Sequence, residues 1–452
     1  MGFTKSVTIT FLSNMFLFLL SFVSATLLSR VLGPAGAGVW NVASNFLTFG
    51  TLILGLGLAA ANVFFLGKNR RDLGGIVGNN IVLTLLSAII LVPFYYLNTR
   101  FHFQFLRGVS DAQMLMVLLA VPFMNLKASL LNVLLGLQDV VTYNWVNVGD
   151  KVLNLILLVV LFFYLASPSS AILAALAGTV IVNVWEMAIL VRLVRQRDFL
   201  EEVSGTGGRP RRGALRYLFT LDFPLMGRML GYGLKAQVGN FIQRLNYSLD
   251  VFIVNYFLPL NQVGMYWVAV TLGKTLWAVS GSIATVILPV ASSATNKGDL
   301  DSFTNRVTRV SLALIMLFSL ILGLISRPLI IWWFTYPFAP AAEAFLWLLP
   351  GVAIFSISNI LANYLAGIGL VEKNIYSAVI SGVVTVVLDF ILIPRIGING
   401  ASIATSLSYI TFTLTTLYFY VRHTHCRWQD VLILKGTDLV LVRQTLLQRF
   451  KR

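Results

Sequence analysis

A lysine or arginine inside an apolar stretch can hold an anion where water is scarce. Four such cations stand out in this chain: Lys127, Lys151, Arg244 and Lys274. At the centre of a membrane helix each costs roughly 2.5–3.5 kcal/mol on insertion scales, so the set costs on the order of 12 kcal/mol. Cations in that setting face a cavity, a pathway or a counter-charge rather than lipid. The same stretches carry acids at Asp150, Glu186, Asp250 and Asp389, which are candidates for fixed counter-ions or for proton or cation coupling. The balance of charge favours an anionic ligand.

Helical spacing gathers polar residues around these charges. Asn41, Ser44, Thr48, Thr51 and Gly55 follow i, i+3, i+7, i+10 and i+14, with Asn45 next to the first two. Asn144, Asn147, Lys151 and Asn154 share one face, as do Gln237, Asn240, Arg244 and Tyr247, with Asp250 three residues further on. Asn14 lies in line with Ser21 and Ser24. Such stripes face other helices or water. For isolated Ser, Thr or Asn, hydrogen bonding between helices is the better account. For Asn-rich stripes that carry cations, a hydrated cavity is the better one. Lys127 is the weakest of the four cations, because its own face carries Ala120, Met124, Leu131 and Leu134.

The elements that position these residues are apolar helices. Only 11% of the 452 residues are charged, the mean hydropathy is +0.84, and the long apolar runs are of helical length. An all-α integral membrane protein follows, and a β-barrel is excluded. Twelve spans are predicted, at about 8–31, 36–66, 73–98, 111–138, 141–166, 169–195, 230–257, 261–291, 308–334, 341–368, 373–394 and 398–421. Twenty-two of the 33 Lys and Arg fall on one side of these spans. Five fall on the other: Arg30, Arg100, Arg107, Arg327 and Arg395. Basic loops stay inside, so both termini are expected in the cytoplasm. The net charge of +16 is then an inner-leaflet matter, and nucleic-acid binding is not expected. The single cysteine, Cys426, allows no internal disulfide, and no metal site or cofactor is expected.

Sliding the chain against itself by half its length aligns Asn14 with Asn240, Leu32 with Leu258, Gly38 with Gly264 and Val42 with Val268, while Trp40 meets Tyr266. Six spans per half make this a parallel repeat about an axis along the membrane normal, a transporter architecture. The expected division is an N-terminal lobe (1–195), a basic cytoplasmic linker (196–229), a C-terminal lobe (230–421) and an interfacial amphipathic tail (422–452). Catalysis fits poorly. The longest outer segment, about 99–110, carries no acid, and no phosphate-cradling glycine loop precedes a Lys-Ser/Thr pair.

Two motifs carry a resemblance. Leu27-Leu28-Ser29-Arg30-Val31-Leu32-Gly33-Pro34-Ala35-Gly36-Ala37-Gly38 resembles the first-loop signature of polysaccharide flippases. The run from Leu245 to Phe257, followed by Val263-Gly264-Met265-Tyr266, resembles the start of their second half. With the twelve-span layout and basic central loop, the chain resembles the Wzx-like polysaccharide (O-antigen) transporters of the MOP exporter superfamily over its whole length. The resemblance implies a bacterial inner-membrane flippase. Its cargo would be an oligosaccharide linked to polyprenyl (undecaprenyl) diphosphate, carried through a cationic cavity by alternating access. It also implies Arg30 as a gate residue at the outer mouth, membrane lipids as surroundings, and a glycan polymerase or glycosyltransferases as working partners. The other readings are an ion-coupled multidrug-type exporter of the same superfamily and a membrane enzyme of glycan assembly.

Overall fold

A computed structural model describes residues 3–195, 217–293, 297–436 and 438. For 3–9, 11, 238–240, 242–247, 278–293 and 297 it describes the backbone alone. Thirteen α-helices are found among the described residues. They are α1 (Phe3–Leu54), α2 (Leu58–Lys68), α3 (Leu73–Ile89), α4 (Leu91–Phe101), α5 (Asp111–Gly136), α6 (Val140–Tyr164) and α7 (Pro168–Arg195), followed by α8 (Phe223–Phe257), α9 (Leu260–Ser293), α10 (Lys297–Phe334), α11 (Ala341–Gly367), α12 (Val371–Thr424) and α13 (Trp428–Leu432). Eight stretches are long and apolar enough to cross a membrane. Two of them, in α1 and α12, are doubled by a kink, and α8 and α9 add two more, which makes twelve crossings.

The kinks have a local cause. At Gly33 the backbone turns to φ 63°, which an L side chain resists, and Pro34 disfavours a helical conformation in the residue before it. Gly397, at φ 61°, plays the same part in α12. The chain folds into two compact units: residues 1–244 with 259–264, and residues 245–258 with 265–452.

In the first unit the core is built from α2, α3, α5 and α7 around Leu58, Leu66, Leu73, Ile76, Leu130, Val133, Val182 and Leu190. The second span, expected as one helix over 36–66, breaks at Leu56 and Gly57, both at positive φ. Gly57 meets the backbone of Gly233, where a Cβ would have no room. The carbonyl of Leu52, freed by the break, accepts a hydrogen bond from the side-chain amide of Gln237. The seventh span begins at Phe223, about two turns before the expected 230. Asp222 caps it by accepting from the Leu225 N–H at 2.9 Å, and Asn79 Nδ2 donates to the Asp222 carbonyl at 2.8 Å. Hydropathy does not register these polar turns. Residues 196–216 of the expected linker lie outside the described residues.

The turn after Gly33 also meets the start of α9 inside the first unit. A Cβ on Gly38 would run into the Leu260 carbonyl oxygen, and one on Gly264 into the Pro34 carbonyl oxygen. The 226-residue offset maps Pro34 onto Leu260 and Gly38 onto Gly264, so the contact is reciprocal under the repeat seen in sequence.

In the second unit α11 packs against α10 and α12, and Ile360, Leu361, Tyr364, Leu365, Leu417 and Tyr420 form a core with Val431 of α13. Helix α10 starts at Lys297, well before the expected 308. Its first turns are polar and tethered: Tyr364 donates to Asp301, and Tyr420 donates to Asn305 at 2.8 Å. The described part of the tail docks on the same helix. Arg309 donates to both oxygens of Asp438, at 2.7 and 2.9 Å, and also to the Asp430 carbonyl. Residues 437 and 439–452 of the tail lie outside the described residues.

The Arg309 hydrogen bonds hold the Asp438 carboxyl below the usual carboxylate range. A depressed carboxyl stabilises docking fully above its ordinary value of about 3.9, and that contribution is lost as pH falls through the lower, docked value. Hydrogen-exchange protection of residues 428–436 should therefore persist from pH 7 to about pH 5 and fail only in stronger acid. Asp438→Asn should abolish it at every pH. Equal protection in the variant at pH 7 would contradict the docking account.

Candidate functional site

The first unit gathers charge where α5, α6 and α7 pack together. Lys127 of α5 donates to Asp150 Oδ2 of α6 at 2.9 Å, and the two side chains are only 15% and 14% exposed. The other oxygen, Oδ1, accepts from Asn154 Nδ2 at 2.8 Å, one turn further along the helix. Gly178 of α7 leaves room for that amide. Glu186 of α7 is 1% exposed, close enough to Lys127 and Asp150 to feel both charges, and neither of its oxygens has a hydrogen-bond partner among the described residues. Lys151 is exposed, although it is adjacent in sequence to Asp150. Adjacent residues on a helix point about 100° apart, so Asp150 reaches across to Lys127 and leaves Lys151 facing outward.

The Asn stripes divide in the same way. Asn45 donates to Asn41 Oδ1 at 2.7 Å. Asn144 is buried and donates to the Val140 carbonyl at 2.7 Å and to Thr10 Oγ1 at 3.2 Å. Asn147 lies close to the Tyr143 side chain, one turn before it on α6. Asn14 and Arg30 are exposed. Asn240, Arg244 and Tyr247 lie on α8, and their side chains fall outside the described residues.

The second unit builds a different cluster. Asp250 of α8 is buried, and its Oδ2 accepts from the Tyr266 hydroxyl at 2.5 Å. The single Tyr266 proton is committed there, so Thr405 Oγ1, 3.0 Å away, donates to the Tyr266 oxygen. The result is a relay from Thr405 of α12 through Tyr266 of α9 to Asp250. Asp389 of α12 is fully buried, and its oxygens have no hydrogen-bond partner among the described residues. It lies within electrostatic reach of Asp250 and Tyr266. Lys274 is exposed and within electrostatic reach of Asp250.

The structure thus joins Lys127, Asp150, Asn154 and Glu186 in one unit, and Asp250, Asp389 and Lys274 in the other. It adds Tyr266 and Thr405. Tyr266 was visible in sequence as the partner of Trp40 in the repeat and as the last residue of the Val263–Tyr266 motif, neither of which points to Asp250. Thr405 belongs to the small polar run Ser402, Thr405, Ser406 and Ser408, whose spacing carries the signal that a buried polar face is present. Among the described residues, no group of three or more His, Cys, Asp or Glu is arranged to hold a metal.

Comparison with known proteins places this geometry. Residues 3–295 match the family described as "Polysaccharide biosynthesis protein". An "Uncharacterized membrane protein MJ1068" of Methanocaldococcus jannaschii is 22% identical over 374 residues, 78% of this chain and 70% of that protein. Among solved structures, "Lipid II flippase MurJ, inward closed conformation" aligns with a TM-score of 0.73 at 14% identity, over 98% of this chain and 93% of that one. An inward-facing multidrug resistance MATE family transporter of the MOP superfamily aligns with a TM-score of 0.68 at 14% identity, over 89% and 94%. These structures share the twelve-helix fold with the chain.

The Lys127–Asp150 pair, part-buried between helices, makes a stability prediction, with the cost of breaking a fully buried pair as its upper bound. Removing one partner of a buried pair costs about 3–5 kcal/mol, because the other charge is left uncompensated. Lys127→Ala and Asp150→Ala should each lower the apparent melting temperature of the detergent-solubilised protein by several degrees, and Lys151→Ala by much less. The double change Lys127→Met with Asp150→Leu should melt closer to the parent than either single variant. Strictly additive losses would show that the pair is not coupled.

Proposed function

The chain belongs to the polysaccharide biosynthesis protein family, and on that premise we propose that it is a flippase for lipid-linked glycans. Its cargo is an oligosaccharide on a polyprenyl diphosphate, moved from the inner to the outer leaflet of a bacterial inner membrane. Two six-helix lobes, 1–195 and 230–421, joined by the basic linker 196–229, work by alternating access through a central cationic cavity. Both termini lie in the cytoplasm.

One observation carries the reading: Lys151 is accessible at roughly 15 Å along α6, near the middle of a span, while its neighbour Asp150 is already committed to Lys127. An uncommitted mid-membrane cation is stable when it faces water or an anion. A diphosphate suits it, and Asn-rich stripes suit sugar hydroxyls. Lys151, Arg244 and Lys274 are the proposed headgroup contacts. Arg30 is the proposed outer gate, and Lys127 is a contact only once Asp150 releases it. Asn14, Asn41, Asn45, Asn144, Asn147, Asn154, Asn240 and Tyr247 line the route. The polyprenyl chain stays in lipid, so only the polar head needs the cavity. A lipid II flippase among the solved structures that share the fold supports this reading.

Asp250, Asp389, Asp150 and Glu186 are proposed either as counter-ions or as the places where a coupling ion is carried. The inside-negative potential itself favours outward movement of an anionic head by about 2.3 kcal/mol per charge per 100 mV. A multidrug exporter of cationic compounds is the alternative, and accessible lysines in the route disfavour it.

The test is translocation in proteoliposomes. A fluorescent polyprenyl-diphosphate oligosaccharide should cross from one leaflet to the other with its chemical structure unchanged, and Lys151→Ala and Arg244→Ala should each slow it at least about tenfold while leaving insertion intact. Normal translocation by both variants would remove the cationic cavity. A lengthened or cleaved glycan would point to an enzyme instead.

A further inference from the structure

Helices α10 and α11 meet at residues 335–340, on the side that the positions of the basic loops predict to be the outer one. Between their ends lies a cavity of about 620 Å³ whose walls include Ser326, Arg327, Tyr336, Pro337, Glu343 and Leu346. Arg327 stands seven residues before the end of α10, roughly 10 Å below it along the axis. Glu343 is in the first turn of α11. Both side chains are exposed, and neither makes an ion pair among the described residues, with each other or with any other group.

The surface around them is that of a lipid-facing wall. Leu324 is 77% exposed, Trp332 69%, Tyr336 72% and Trp347 50%. Tryptophan and tyrosine in such numbers mark the headgroup level of a bilayer. An arginine at this depth either stretches to water or binds a phosphate, and its planar fork suits phosphate oxygens. Snorkelling accounts for Arg327 and the helix N-terminus for Glu343, but neither accounts for both opening onto one cleft. A cleft with one separated positive group and one separated negative group complements a zwitterion.

We propose that this cleft binds the headgroup of a phospholipid carrying a phosphate and a primary ammonium, as in phosphatidylethanolamine, with Arg327 on the phosphate and Glu343 on the ammonium. Chemistry sets the selectivity. A quaternary choline cannot donate a hydrogen bond to Glu343. A glycerol headgroup brings no cation and sets its phosphate charge against the carboxylate. The proposal stands independently of the glycan reading, because it concerns a resident lipid rather than cargo.

The full-length protein, purified and delipidated, can be titrated by native mass spectrometry with phosphatidylethanolamine, phosphatidylcholine and phosphatidylglycerol of matched chains. The ethanolamine lipid should be retained about tenfold more strongly than the choline lipid. Arg327→Gln should weaken retention of all three, whereas Arg327→Lys, which keeps the charge and controls for misfolding, should preserve the ethanolamine preference. Glu343→Gln should remove the discrimination between ethanolamine and choline while leaving phosphate-dependent binding. Equal retention of the three lipids by the parent protein would overturn the proposal, as would a preference that survives both Arg327→Gln and Glu343→Gln. A polyprenyl diphosphate that outcompetes the ethanolamine lipid, and binds more tightly still after Glu343→Gln, would reassign the cleft to cargo.

Discussion

A charge placed in hydrocarbon has to be met by an opposite charge, a hydrogen bond or water, and much of this structure follows from how the protein meets that requirement. In the first unit Lys127 and Asp150 answer each other across two helices, and Asn154 satisfies the carboxylate oxygen that Lys127 leaves over. In the second unit a hydroxyl relay from Thr405 through Tyr266 satisfies Asp250. Local compensation of this kind separates two populations of charge. Those already answered hold helices in register. Lys151 belongs to the other, exposed population, the one proposed to meet a ligand.

The backbone answers the same constraint by close approach. Where the chain breaks between α1 and α2 at Gly57, the absence of a side chain lets the Gly233 backbone come close, and the Gln237 amide takes up the carbonyl released nearby. Gly351 sits against the Ser406 backbone, and its N–H donates to Ser406 Oγ at 2.7 Å. Each is a place where a helix loses regularity or gains a neighbour without leaving a polar group stranded, which a span in lipid cannot tolerate.

Much of this was legible in the residues. Apolar runs of helical length revealed the twelve crossings, and Gly33-Pro34 and Ile396-Gly397 marked two of the turns, because their conformational preferences are local. Helix starts at Phe223 and Lys297 were not legible, because polar caps and tethers set them rather than hydropathy. The pairing of Lys127 with Asp150 was hidden for a related reason. The face of Lys127 looks apolar along α5, and its partner lies on another helix at a separation no periodicity encodes. Conversely, Lys151 and Asp150 are neighbours in sequence and would be paired by eye, yet helical geometry sends them in different directions. The reciprocal meeting of Gly38 and Gly264 is the clearest case of a weak sequence signal gaining physical content: an offset of half the chain becomes a contact with matched partners on both sides.

The central claim is that accessible cations in the membrane read a diphosphate, and its most direct test is an equilibrium one. Binding of a polyprenyl diphosphate and of the polyprenyl alcohol with the same chain should be measured on the same purified protein. If the cations hold the headgroup, the diphosphate should bind at least about tenfold more tightly, as expected for even one hydrogen bond to a charged group, and the difference should shrink with added salt. Equal affinities, unaffected by salt, would contradict the account, because the chain would then be recognising the lipid tail alone.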